Sequence, residues 1–149
     1  TGHSKVLGID FNFDGSKMLT CGEDQKFRVW NMAVSTPTVI GGEFGLGEVA
    51  KSCKLSYDEY AGVGIIGNVV KIFSPPSYVS SGSFSKTFNI PGHADRFGFF
   101  NCDKNKYVMG SDNGGFYSWN DSDYYLHTGT HHVRLATVDP TDDFIAIGK

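Results

Sequence analysis

Trp30, Phe73 and Trp119 each close a short run that reads as a β-strand, at intervals of 43 and 46 residues. A period of this size limits what the chain can fold into, because each repeat is one small unit that cannot bury its apolar face alone. Around each of these aromatics the pattern is the same. Apolar and polar residues alternate over five to eight positions, broken by Asp, Asn and Gly, which is the signature of strands joined by tight turns. No stretch carries a convincing 3.6-residue apolar period.

In the first unit, residues 6–13 are predicted as a strand, Asp14-Gly15 as a hairpin turn of the D-G kind, and residues 18–21 as a second strand. Residues 22–25 then form a turn, residues 26–30 a third strand and residues 36–40 a weaker fourth. The second unit reads 49–55, 60–66 and 69–73, with turns at Asp58-Glu59 and Gly67-Asn68, and a fourth strand at 83–90. The third reads 96–101, 106–109 and 116–119. A fourth unit begins near His131-His132 and turns at 140–143. The expected units are 1–47, 48–91, 92–130 and an incomplete 131–149, in an all-β chain. The 19 Gly, 12 Phe and 7 Tyr fit that class, since Gly serves turns and aromatics favour strands.

Within the first unit, Gly2-His3, Asp24 and Trp30-Asn31 together resemble a WD40 repeat, with Asn31 where the family's signature Asp sits. Gly92-His93 and Trp119-Asn120 resemble a second copy with the same replacement. Family repeats run ~40–45 residues with four strands per propeller blade. The resemblance implies a WD40 β-propeller segment of four-stranded antiparallel blades. It also implies a buried polar network in which His3, Thr20, Asp24 and Trp30 take the His, Ser/Thr, Asp and Trp positions. The second unit has Val63, Gly67 and Phe73 there and so lacks the network. The third keeps His93 and Trp119 but carries Met109 and Asn113. Closed propellers use about four to eight blades, and about three and a half are present. The expectation is a segment of a larger propeller, with a half-propeller completed by a second chain as the alternative.

The glycines at 42–47 fit no phosphate-binding register and read as a loop between units. His127, His131 and His132 lie without a nearby Cys, whereas zinc needs about four convergent ligands; no metal is expected, and His131 or His132 reads as the leading histidine of the fourth unit. Asp58/Glu59 and Asp142/Asp143 fall at turns, where Asp bonds its local backbone. No Ser, Cys and His form a nucleophile elbow. Cys21 and Cys102 read as small buried side chains. Cys21, Cys53 and Cys102 occur singly, which favours reduced thiols in an intracellular protein. No cofactor is implied and no enzyme is expected.

Thirteen Lys+Arg against 16 Asp+Glu give a net charge of −3, opposite to the basic footprint of nucleic-acid binders. No apolar run approaches the ~20 residues of a membrane helix, and the opening residues lack a secretory leader pattern. A cytoplasmic or nuclear protein is expected. In WD40 proteins the face bearing the loops before each first strand, and the turns between second and third strands, commonly holds proteins or peptides. Carried to this chain, that face comprises Glu23 and Asp112, with Lys5, Leu7, Asp95, Arg96 and Phe97 nearby. Phe97 equally suits the core of its strand. The resemblance therefore implies a non-catalytic scaffold for protein–protein contacts. The alternatives are a regulatory or targeting propeller of a multidomain enzyme, or a propeller that reads lipid or nucleic acid. Arg28, Arg96 and Arg134 stand apart, unlike the adjacent arginines of phosphoinositide-binding propellers.

Overall fold

The computed structural model describes residues 2–56, 59–65, 69–76 and 78, together with the strands 86–89, 96–99, 106–110, 115–120, 123–128, 135–138 and 145–148. These residues form fourteen strands and no helix. Accordingly, no helix among them is long and apolar enough to cross a membrane.

The strands form consecutive antiparallel sheets. Sheet 1 holds β1 (Val6–Phe11), β2 (Lys17–Gly22), β3 (Lys26–Asn31) and β4 (Thr38–Gly45), paired in that order. Sheet 2 holds β5 (Ala50–Leu55), β6 (Ala61–Ile65), β7 (Val69–Phe73) and β8 (Lys86–Asn89). Sheet 3 runs β9 (Arg96–Phe99), β10 (Lys106–Gly110), β11 (Gly115–Asn120) and β12 (Asp123–Thr128). The last two strands, β13 (Leu135–Val138) and β14 (Ile145–Gly148), pair with each other. Successive sheets meet through their leading strands. β5 packs on β1 and β2, β9 on β5 and β6, and β13 on β9 and β10.

Sheets 1 and 2 match strand for strand. The β1–β2 ladder shifts register between Val6 and Gly8, and the β5–β6 ladder shifts between Ala50 and Ser52. Beyond the bulge, Ile9 faces Thr20 and Phe11 faces Met18, just as Cys53 faces Val63 and Leu55 faces Ala61. The hairpin that follows is closed alike in both. Asn12 Oδ1 accepts from Lys17 N at 2.8 Å, and Ser56 Oγ accepts from Tyr60 N at 2.8 Å.

Residues directly opposite in an antiparallel ladder share a face, so each sheet sorts its side chains in two. Leu19, Cys21, Phe27 and Val29 lie on one face of sheet 1 and are fully buried. They meet Cys53, Leu55, Ala61, Val63 and Phe73, which lie on the opposite kind of face of sheet 2. The two sheets therefore stack head to tail. Phe27 is the pivot, with its ring 4.3 Å from Phe73 and stacked on Phe44 at 4.6 Å. Asp10 ties the sheets at their leading strands by accepting from Leu55 N at 2.9 Å and Lys54 Nζ at 3.2 Å.

Three details differ from the sequence expectation. β1 ends at Phe11, because the loop is four residues long, closing between Asn12 and Lys17, with Gly15 at φ 72°. The D-G pair therefore sits inside a longer loop. Gly42–Gly45, expected as a loop, belongs to β4: Gly41 and Gly42 take positive φ and form a bulge opposite Arg28, which brings Phe44 back into register with Phe27. β12 was not anticipated, since its Tyr- and His-bearing sequence alternates weakly.

Candidate functional site

The loop before β1 crosses the end of sheet 1 where β2 turns into β3. Gly22 allows this crossing, because a Cβ there would stand 2.1 Å from Lys5 O, and Glu23 N donates to that same carbonyl at 3.0 Å. The crossing brings His3 beneath the turn, its side chain only 1% exposed.

His3, Thr20, Asp24 and Trp30 form one hydrogen-bonded chain. Trp30 Nε1 donates to Thr20 Oγ1 at 2.8 Å, and Thr20 Oγ1 lies 2.8 Å from His3 Nε2. His3 Nδ1 lies 2.7 Å from Asp24 Oδ1. The indole can only donate, so Thr20 Oγ1 accepts from it. His3 Nδ1 also lies 2.6 Å from Arg28 Nη1, which places the imidazole between the Asp24 carboxylate and the Arg28 guanidinium.

Arg28 extends this chain and was missed from sequence. Its side chain is 2% exposed and lies on the same face as Thr20, its ladder partner. Nη1 donates to Asp24 Oδ2 at 2.8 Å, while Nε and Nη2 donate to Glu43 Oε1 at 3.1 and 2.8 Å. Lys26 Nζ completes the group on Glu43 Oε2 at 2.5 Å. Alternation along β3 signals that Lys26, Arg28 and Trp30 share one face. Glu43 carried no such signal, because the glycines around it read as loop.

The electrostatics follow from these contacts. Burial works to raise the Asp24 carboxyl, but hydrogen bonds from His3 and Arg28 outweigh it and hold the group below its ordinary range. Hydrogen bonds from Lys26 and then Arg28 bring the Glu43 carboxyl down to about 2. Burial of the Arg28 guanidinium opposes its charge, yet bonds to Glu43 and Asp24 more than compensate and raise its pKa. Every charge in the group is matched, so the cluster is suited to clamping the turn and the leading loop to the sheet.

Above it lies the exposed rim. Lys5 Nζ donates to Glu23 Oε1 at 2.8 Å, with side chains 62% and 46% exposed, and Leu7 is half-buried nearby in sequence. Arg96 and Phe97 open β9, opposite Gly110 and Met109. Trp119 lies on β11 between Tyr107 and Tyr124. Val63, at the position matching Thr20, is fully buried in the apolar core. His93, Asp95 and Asp112 lie outside the described residues, as do His131 and His132, whereas His127 lies on β12 opposite Phe116. Among the described residues, no three His, Cys, Asp or Glu side chains are grouped to hold a metal ion.

The sequence matches no model of a known protein family, and no curated protein matches it.

Proposed function

We propose that the chain is a run of blades from a WD40-type β-propeller that acts as a non-catalytic scaffold for proteins or peptides. The observation that carries this reading is the strand-for-strand match of sheets 1 and 2, stacked head to tail through their leading strands. Repetition of one such step is what generates a propeller. A further support is the face of sheet 1 turned away from sheet 2. Ile9 and Phe11 there are 55% and 49% exposed, whereas their counterparts Cys53 and Leu55 are 3% and 9%. A face built like a buried one fits a neighbouring blade.

Lys5, Leu7, Glu23, Asp95, Arg96, Phe97 and Asp112, the positions that the WD40 resemblance carries to one face, are the proposed binding surface. Its mixed charge would tune association rate and selectivity more than raw affinity. Calorimetry against a protein that co-purifies with the chain tests this. Arg96→Glu should weaken binding by ~1–3 kcal/mol with little change in melting temperature. Ser35→Glu, on the exposed loop at the other end of sheet 1, should leave binding unchanged. Loss of binding through Ser35→Glu and not Arg96→Glu would overturn the assignment.

A further inference from the structure

Cys21 on β2 and Cys53 on β5 come from different sheets and meet in the core between them. Both are free thiols, 0% and 3% exposed. The absent side chain of Gly8 makes room for them. A Cβ at that position would stand 2.8 Å from Cys21 Sγ and 3.1 Å from Cys53 Sγ, so the sulfurs lie within about 6 Å of each other. Burial, together with a hydrogen bond to Cys21, pushes the Cys53 thiol well above its ordinary range. Their positions in the repeat do not correspond, since Cys53 matches Ile9 and Cys21 matches Gly64. Head-to-tail stacking alone brings them together.

We propose that Cys21 and Cys53 form a redox modification site, convertible by an external disulfide into an intrachain disulfide that joins sheet 1 to sheet 2. One thiolate attacks a small disulfide such as oxidised glutathione, giving a mixed disulfide and releasing one glutathione thiol. The second protein thiolate attacks the protein sulfur of that mixed disulfide and expels the other glutathione. The protein loses two electrons and two protons, and the external disulfide gains them as two thiols. Only thiolates react, and burial holds the Cys53 thiol protonated. Exchange therefore proceeds through brief separation of the two sheets and accelerates with pH. A Cβ–Cβ distance of about 3.5–4.5 Å is needed for closure, and both sulfurs already gather where a Gly8 side chain would stand.

The test uses the 149-residue chain carrying Cys102→Ser, incubated with oxidised glutathione in mildly alkaline buffer, then denatured and alkylated. The expected product is a monomer lighter by two hydrogens, with no alkylatable thiol. Its non-reduced digest contains one linked peptide holding Cys21 and Cys53. Its melting temperature rises by several degrees, and dithiothreitol reverses the rise. Cys53→Ala in the same background should gain no stability from the oxidant. The digest of oxidised wild-type chain reads the same bridge without any substitution. Two alkylatable thiols, stable glutathione adducts, or bridges between chains would each overturn the proposal.

Discussion

Sheets 1 and 2 share a backbone and differ in what fills it. On the face that sheet 2 turns to sheet 1, Cys53, Leu55, Ala61, Val63 and Phe73 are at most 9% exposed and form a dry core. The matching face of sheet 1 carries Ile9, Phe11, Met18, Thr20 and Trp30, of which only Thr20 is buried. There the chain His3–Thr20–Asp24–Trp30, extended by Arg28 and Glu43, spans the turn and the leading loop. One sheet design is thus held in two ways, by apolar contact and by matched polar groups. The bulge, the hairpin closure and the pairing order are common to both, so the architecture depends on backbone register more than on side-chain identity.

The largest expected effect separates the two sheets. Phe73→Ala removes a ring 4% exposed that packs on Phe27, and should destabilise by ~3–5 kcal/mol in urea unfolding. Trp30 occupies the equivalent position but is half-buried. Trp30→Ala should cost less, ~1–3 kcal/mol, chiefly by leaving Thr20 short of a donor. Equal losses would mean that sheet 1 is as dry as sheet 2.

Next comes the coupling inside the polar chain. Asp24→Ala strips an acceptor from both His3 and Arg28, at an expected ~1–3 kcal/mol. Combined with Trp30→Ala, the losses should fall short of additivity by at least ~0.5 kcal/mol, because both residues act through Thr20 and His3. Additive losses would reduce the chain to independent contacts.

Acid should loosen sheet 1 before sheet 2. Asp24 and Glu43 titrate lower folded than unfolded, so the stability they contribute is complete above the unfolded carboxylate range. It drains as pH falls from the Glu43 reference value of 4.5 toward about 2. The urea midpoint of the wild type should drop more steeply across that window than that of Glu43→Gln. Parallel profiles would remove Glu43 from the clamp. Smallest is the rim pair: Glu23→Gln should change stability by ~0–1 kcal/mol, since both side chains stand in water.

The strand rhythm was legible in the sequence, because period-two alternation and turn residues are local signals, whereas His3, Thr20, Asp24 and Trp30 were named only through their resemblance to a WD40 repeat. The sequence did not carry the β4 bulge. Gly41 and Gly42 serve there to let extra residues oppose Arg28, yet glycine in a run is equally the mark of a loop. Glu43 was lost with that reading, and with it the extension of the network through Arg28. The lower burial of Trp30 was also hidden, since exposure depends on which sheet lies across from a face. Cys21 and Cys53 show the same limit, because stacking rather than spacing makes them neighbours.

Head-to-tail stacking is the central claim, and the contact between Phe27 and Phe73 reports it most directly. A double-mutant cycle with Phe27→Leu, Phe73→Leu and the pair, followed by urea unfolding, isolates that contact. The rings are 4.3 Å apart and tilted by 45°, for which a coupling of ~0.5–1.5 kcal/mol is expected. Strictly additive losses would contradict it, leaving the two phenylalanines in separate cores and the sheets unstacked.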